Sequence, residues 1–420
     1  MRQQVRPPSL IALLTIVPLV ACGGDRPAAS TTWSTVTDTI GDTVIVRTVG
    51  ARDSAVLVGL LPELAFGESD GADEYTFGYV GNVLPATAGD VYVWDAQANL
   101  LRRYDSTGHF VRQIGRKGGG PGEYDRPIGL DVMPDGRLAI WDAGQQRVNI
   151  YDTAGTFVSS WRAETNVFMQ DGLLADSAGR LNLQLPVGER DDSGDVPMGV
   201  VRYTADGTVL DTLFPPPLPT PGTLSSEGGS GQSVSSYRFY IEYVPQPSWS
   251  VSPLGYLVST PADRYAITLG RPDGPLRIER DVPVVPVEAA ERSWIERRMT
   301  RMVQRQSPGW RWNGPPVPAT KPAVDYLKVD ADGRIWVARS FLSQRVDNVD
   351  ADTSDGPPEP RWRSRAGYDV FATDGHWLGH LPMPQGTALL HMRGDVAWGT
   401  VRDSMDVQRV VRFRLTGLPK

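Results

Sequence analysis

The chain has one cysteine and four histidines in 420 residues. A single thiol excludes an intramolecular disulfide, so the fold rests on its core, for which a chain this long has ample material. Four imidazoles leave little for a histidine-built metal centre. His109 and His376 occupy equivalent turn positions, and His376 and His380 share one strand at roughly 13 Å, too far apart for one ion. His391 can approach a central channel, but alone. Cation excess is also missing: 42 Lys+Arg stand against 49 Asp+Glu, which argues against nucleic acid as a partner. No H-E-x-x-H or G-x4-G-K-[ST] occurs, and these absences remove the zincin helix and the phosphate loop. After residue 21 no apolar run nears the roughly 20 residues that span a bilayer.

What is present begins with a targeting segment. Arg2 and Arg6 precede SLIALLTIVPLVA (9–21), an apolar run of thirteen, too short to span and ending in small residues. Leu19-Val20-Ala21-Cys22 resembles the lipobox of bacterial lipoproteins, which implies cleavage before Cys22 and its lipidation. Gly24, two places on, resembles the enterobacterial pattern that sorts to the outer membrane. The expectation is a chain anchored to the envelope, not spanning it. Removing 1–21 takes away two arginines and leaves 40 cations against 49 acids, a net charge of −9.

Glycine (44) and proline (35) are plentiful, and they punctuate a repeat. GDVYVWDAQANLLRRYDSTGHFVR (89–112) and GRLAIWDAGQQRVNIYDTAGTFVS (136–159) share a strand ending Trp-Asp-Ala, a second ending Tyr-Asp, and a glycine turn, 47 residues apart. Weaker copies span 178–213, 254–280, 330–383 and 387–417. The last stops after three strands, and 61–67 is the candidate for its fourth. Six units of four antiparallel strands predict an all-β, six-bladed β-propeller closed by an N-terminal strand; a sandwich does not repeat at this length. The pattern of Pro-x-Gly strand, Asp-Gly turn and Tyr-Asp-x-x-Gly resembles the NHL-repeat propellers, most closely the lipoprotein propellers of Gram-negative bacteria. The organisation expected is a signal at 1–21, a lipidated cysteine and tether at 22–32, a hairpin at 33–60, and the propeller over 61–420 with insertions 214–247, 286–323 and 340–365.

Strands are lettered a to d from the channel outward. The a–b and c–d turns are short, whereas the d–a and b–c connections, which share the opposite face, carry all the long material. Residues 287–306 place Ala290, Trp294, Ile295, Met299, Met302 and Val303 on one stripe at helical spacing: a helix packed on the blades, or a mobile lid. Aromatics (Tyr124, Tyr237, Phe239, Tyr240, Tyr243, Trp310, Trp312) and arginines (116, 126, 311, 361, 363, 365) collect on this face, a composition suited to protein, peptide or carbohydrate partners. Arg116, Lys117, Tyr124, Arg126, Trp310 and Trp312 are the expected contacts. GRKGGGPGEYDRP (115–127) reads as a connector, because Lys117 precedes the glycines and a strand follows. Asp347, Asp350, Asp352 and Asp355 are closely spaced carboxylates without EF-hand spacing. No cofactor is expected, although Ca²⁺ or Mg²⁺ in the channel would suit the rival reading. That rival is a metal-dependent hydrolase or lyase, lactonase-like or streptogramin-lyase-like, at the channel mouth.

Overall fold

The structure, a computed structural model, describes residues 33–86, 89–163, 172–189, 196–228, 235–346 and 361–418. It is a six-bladed β-propeller. Blade one is Val80–Pro85, Val91–Asp95, Leu100–Tyr104 and Phe110–Ile114; blade two is Pro127–Val132, Leu138–Asp142, Arg147–Tyr151 and Phe157–Arg162. Blades three to five start at Leu173, Ser248 and Tyr326 and end at Leu213, Arg280 and Pro382. In blade six, Thr387–Arg393, Val396–Arg402 and Gln408–Thr416 take their outer strand from Gly59–Phe66, with Leu60 opposite Leu415. The ring therefore closes through the N-terminal strand.

Strand b of blade one, VYVWD, is buried along its whole length, while the outer strand FVRQI is buried only at Ile114. The reason is position: b is covered by both neighbouring blades and d faces water on one side. The Trp-Asp-Ala repeat has a specific task. Asp142, fully buried, accepts the backbone N–H groups of Asp125, Arg126 and Gly144 at 2.9–3.0 Å. Asp95 does the same for Gly78, Tyr79, Gln97 and Ala98. One carboxylate thus satisfies the b–c turn and the incoming d–a connection together, groups that would otherwise be costly to bury.

The N-terminal segment runs around the rim as a belt. Ser34–Ile40 and Thr43–Val49 form a hairpin whose second strand pairs in parallel with the outer strand of blade four. Val56 and Val58 then bond His380 on the outer strand of blade five, by His380 N–H to Val56 O and Val58 N–H to His380 O, both 2.9 Å. Gly59–Phe66 finishes blade six. Three successive blades therefore gain outer pairing from one stretch.

The one helix among the described residues, α1 (Ala289–Gln304), lies in the connection between blades four and five. It buries Ile295, Met299 and Val303 against Leu224, Ile241 and Val317. The helix is packed, and the stripe is rotated from the expected one. Met302 and Ala290 are exposed, and Glu291 takes the inward position. Among the described residues no helix is long and apolar enough to cross a membrane.

Candidate functional site

The elaborated face is built on blade five. Its strand b, Ile335–Val346, has twelve residues against five in blade two. Strand c, Arg361–Phe371, pairs with it as far as Val346 opposite Arg361. About seven extra residues carry this hairpin roughly 23 Å beyond the blade. A polar bolt fixes it. Lys321 Nζ, almost wholly buried, donates to Phe341 O (2.6 Å), Ser343 Oγ (2.8 Å) and Ser364 Oγ (2.8 Å), so each ammonium proton has an acceptor. Glu291 of α1 accepts from Ser343 Oγ (2.6 Å) and Tyr243 OH (2.9 Å). Burial pulls the Lys321 ammonium below its usual range, against the opposing pull of Glu291, Asp325 and Glu242. The inward turn of Glu291 on α1 is explained by these two hydroxyls.

A cleft of about 680 Å³ opens between this hairpin and the connection from blade five to blade six, over Pro382 to Thr387. Gln344, Arg363, Arg365, Gln385 and Thr387 supply its polar groups, and Phe341, Met383 and Pro384 its apolar wall. Among the described residues no acidic side chain lines it.

Beneath lies a buried charge network. Asp369 Oδ1 meets His380 Nδ1 at 2.8 Å, and Asp369 Oδ2 accepts from Tyr265 OH at 2.8 Å. The guanidiniums of Arg280 and Arg339 stand 2.5 and 3.2 Å from the same oxygen, and both also reach Asp53 at 2.9 Å. Burial alone would raise the Asp369 carboxyl. The His380 bond and the two arginines overcome it and hold the group well below the usual carboxylate range. Asp53, Asp369 and His380 offer three donor atoms within 4.8 Å of one another. A divalent ion does not fit there, because the oxygens it would use already hold two guanidiniums, whose charge would repel it. Phe341 stands edge-on to His380 (5.2 Å) with Arg339 at 5.1 Å from its ring centre, which ties the cleft floor to the network.

A second cavity, about 490 Å³, lies on the propeller axis towards the short-turn face, and Asp131, His391 and Arg393 also share a pocket of about 150 Å³. Burial pushes the Asp131 carboxyl up to about 6, opposed by the backbone N–H groups of Ala175 and Val132 and by Arg393. Burial and Arg393 push the His391 imidazole down to about 4, against Asp332. His391 Nε2 is buried without a hydrogen-bond partner among the described residues. So His391 does reach the channel, and it is not alone there.

The expected contact residues fare unevenly. Arg116 and Lys117 are exposed, with Arg116 paired to Glu123 at 2.7 Å. Arg126 is exposed, its backbone N–H held by Asp142. Tyr124 is a correction: it is fully buried, stacked edge-on to Trp94 at 5.7 Å, its hydroxyl donating to Ile114 O (2.9 Å) and accepting from Leu101 N–H (3.2 Å). It is framework between blades one and two and has no exposed surface to offer a partner. Trp310 and Trp312 are half-buried, and their indole N–H groups are taken by Ser225 O (2.7 Å) and Pro315 O (2.9 Å). They bind the insertion Thr223–Gly228/Ser235–Tyr240 to the segment after α1, while Tyr237 and Tyr240 of that hairpin remain exposed. Cys22, Asp347, Asp350, Asp352 and Asp355 lie outside the described residues. The connector 115–127 is held as structure. Arg147 Nη2 reaches Gly120 O (2.6 Å) and Glu123 O (2.7 Å), and Gln145 Nε2 reaches Gly118 O (2.6 Å). At Gly115 (φ +62°) a Cβ would lie 2.6 Å from the Tyr124 ring, so glycine is required there. Gln344, Gln385, Lys321 and the Asp369 network were not singled out from the sequence, since each joins segments far apart in the chain.

Residues 70–170 match a family described as six-bladed β-propeller. Comparison with curated proteins finds no match. Among solved structures the chain is similar to a member of the duf4221 family from Bacteroides vulgatus (10% identity, 86% of this chain and 99% of that one, TM-score 0.49). It is also similar to a gluconolactonase from Xanthomonas campestris (14%, 84% and 97%, TM-score 0.37) and to virginiamycin B lyase from Staphylococcus aureus (10%, 91% and 99%, TM-score 0.35).

Proposed function

We propose that the protein is a lipid-anchored propeller of the cell envelope that captures a ligand (protein, peptide or carbohydrate) on its long-loop face. The observation that carries this reading is the cleft of about 680 Å³ beside the bolted blade-five hairpin, a volume within the roughly 300–1,000 Å³ of small-ligand sites. Rigid walls favour it, since a preorganised site loses less ordering entropy on binding. The anchor rests on the lipobox-like Cys22, and the outer membrane on Gly24. Exposed Ala366 lines the cleft, so Ala366→Trp should fill it and abolish ligand capture without unfolding the chain. Undiminished capture by that variant would sink the reading. Cys22→Ser should release the protein from the membrane fraction.

The hydrolase or lyase reading is favoured by one observation, the oppositely shifted Asp131 and His391 in the axial cavity. Stoichiometric Ca²⁺, Mg²⁺ or Zn²⁺ in protein purified without tag or chelator would support it.

A further inference from the structure

We infer that the cleft selects ligands bearing a carboxylate, on a body the size of one or two sugar rings; this rests on the capture reading above. The chain is acidic overall, with 49 acids to 42 cations, yet the cleft reverses that sign. Among the described residues it is lined by Arg363 and Arg365 and by no acid.

Strand alternation produces the arrangement. Arg363 and Arg365 are two apart on strand c, so they share a face about 7 Å apart, with Gln344 in register opposite Arg363. Ser364, between them, bonds Lys321 and belongs to the bolt. Both arginines are exposed, and among the described residues neither has an ion-pair partner. The acids closest below add no repulsion, because Asp369 and Asp53 are matched by Arg280 and Arg339.

Guanidinium forks recognise planar oxyanions through paired N–H donors. The amides of Gln344 and Gln385 can serve hydroxyls, and the Met383–Pro384 wall can cover an apolar ring face. A long polyanion does not suit the site. The volume is that of a small ligand, and the surrounding net negative charge opposes extended anions. The ligand is therefore a small carboxylic acid, and a sugar acid matches the amides, hydroxyl and flat apolar wall together.

Calorimetric titration of detergent-purified full-length protein with D-glucuronate, D-glucose and D-glucose 6-phosphate tests this. Glucuronate should bind saturably, at least tenfold more tightly than glucose. The double variant Arg363→Gln/Arg365→Gln should weaken it about tenfold or more, since the charge-assisted donors are removed, while leaving the thermal midpoint unchanged. Added salt should weaken it too. Equal binding of glucose, or glucuronate binding indifferent to the double variant, overturns the carboxylate inference and leaves capture standing. Tighter binding of the phosphate reassigns the site from carboxylate to phosphate and equally overturns it. No binding of any of the three overturns the carboxylate inference, while the capture reading stands or falls separately with the Ala366→Trp variant.

Discussion

Asp369→Asn removes one charge from a site where four are balanced. In the native chain Asp369 and Asp53 face Arg280 and Arg339, and Asp369 is fully buried. The substitution keeps the shape and leaves two guanidiniums, each at most 4% exposed, against Asp53 alone. Breaking a buried pair by removing one partner costs about 3–5 kcal/mol, because the surviving charge stays desolvated. That is a large part of the roughly 5–15 kcal/mol of a typical domain. Urea unfolding followed by tryptophan fluorescence reads it directly, with Trp377 4.5 Å from the Arg280 guanidinium as a local reporter. Asp374→Asn, on an exposed turn beside His376, is the surface comparison and should cost under about 1 kcal/mol. The pH dependence is also fixed in sign. The folded carboxyl of Asp369 lies below its ordinary value, so its contribution is complete above about pH 4 and fades as the pH falls further. The gap between wild type and Asp369→Asn should thus be constant from about pH 8 to 5 and narrow below about pH 4. Equal losses for Asp369→Asn and Asp374→Asn would refute the argument that this network is a balanced, desolvated unit.

Tyr124→Phe should cost about 2 kcal/mol, by stranding Ile114 O and Leu101 N–H, and should leave ligand affinity unchanged; an equal loss of affinity would return Tyr124 to the binding surface. In the channel, Asp131 (about 6, raised) favours the folded state as pH falls from about 6 to 4, whereas His391 (about 4, lowered) disfavours it from about 6.5 to 4. Relative to wild type, Asp131→Asn should therefore lose stability more steeply between pH 6 and 4, and His391→Gln less steeply, by at most about 1.4 kcal/mol per pH unit; parallel curves would contradict the opposed shifts.

The fold was legible because its elements repeat for a physical reason. Each blade needs a buried strand b, a carboxylate for the b–c turn and a glycine turn, so these recur in the sequence wherever the packing recurs, as at Asp95 and Asp142. The closing strand was legible for the same reason, since Gln408–Thr416 left an edge that Gly59–Phe66 matches. Tyr124 was misread although the signal existed. The parallel connection before blade one carries Tyr75, whose ring lies 6.0 Å from Tyr104, and a tyrosine present in both copies serves what the copies share, which is packing.

The same logic bears on the proposed cleft. Blades one and two match each other best and carry only the framework connector, whose Gly118, Gly120 and Glu123 carbonyls are bonded to blade two. The cleft forms where blade five departs from the repeat, with a strand b of twelve residues and a bolt reaching to α1. Closing a blade requires none of this, so no periodicity announced it. Arg363, Gln344 and Gln385 come together only through a hairpin register and a crossing between blades. The Asp369 network draws on residues from Asp53 to His380, because the N-terminal belt must first wrap the rim to deliver Asp53. A sequence of this kind shows what every blade must do. Its departures from that rule are where we propose that function sits, and two arginines in an acidic chain are the chemistry behind the proposed carboxylate preference.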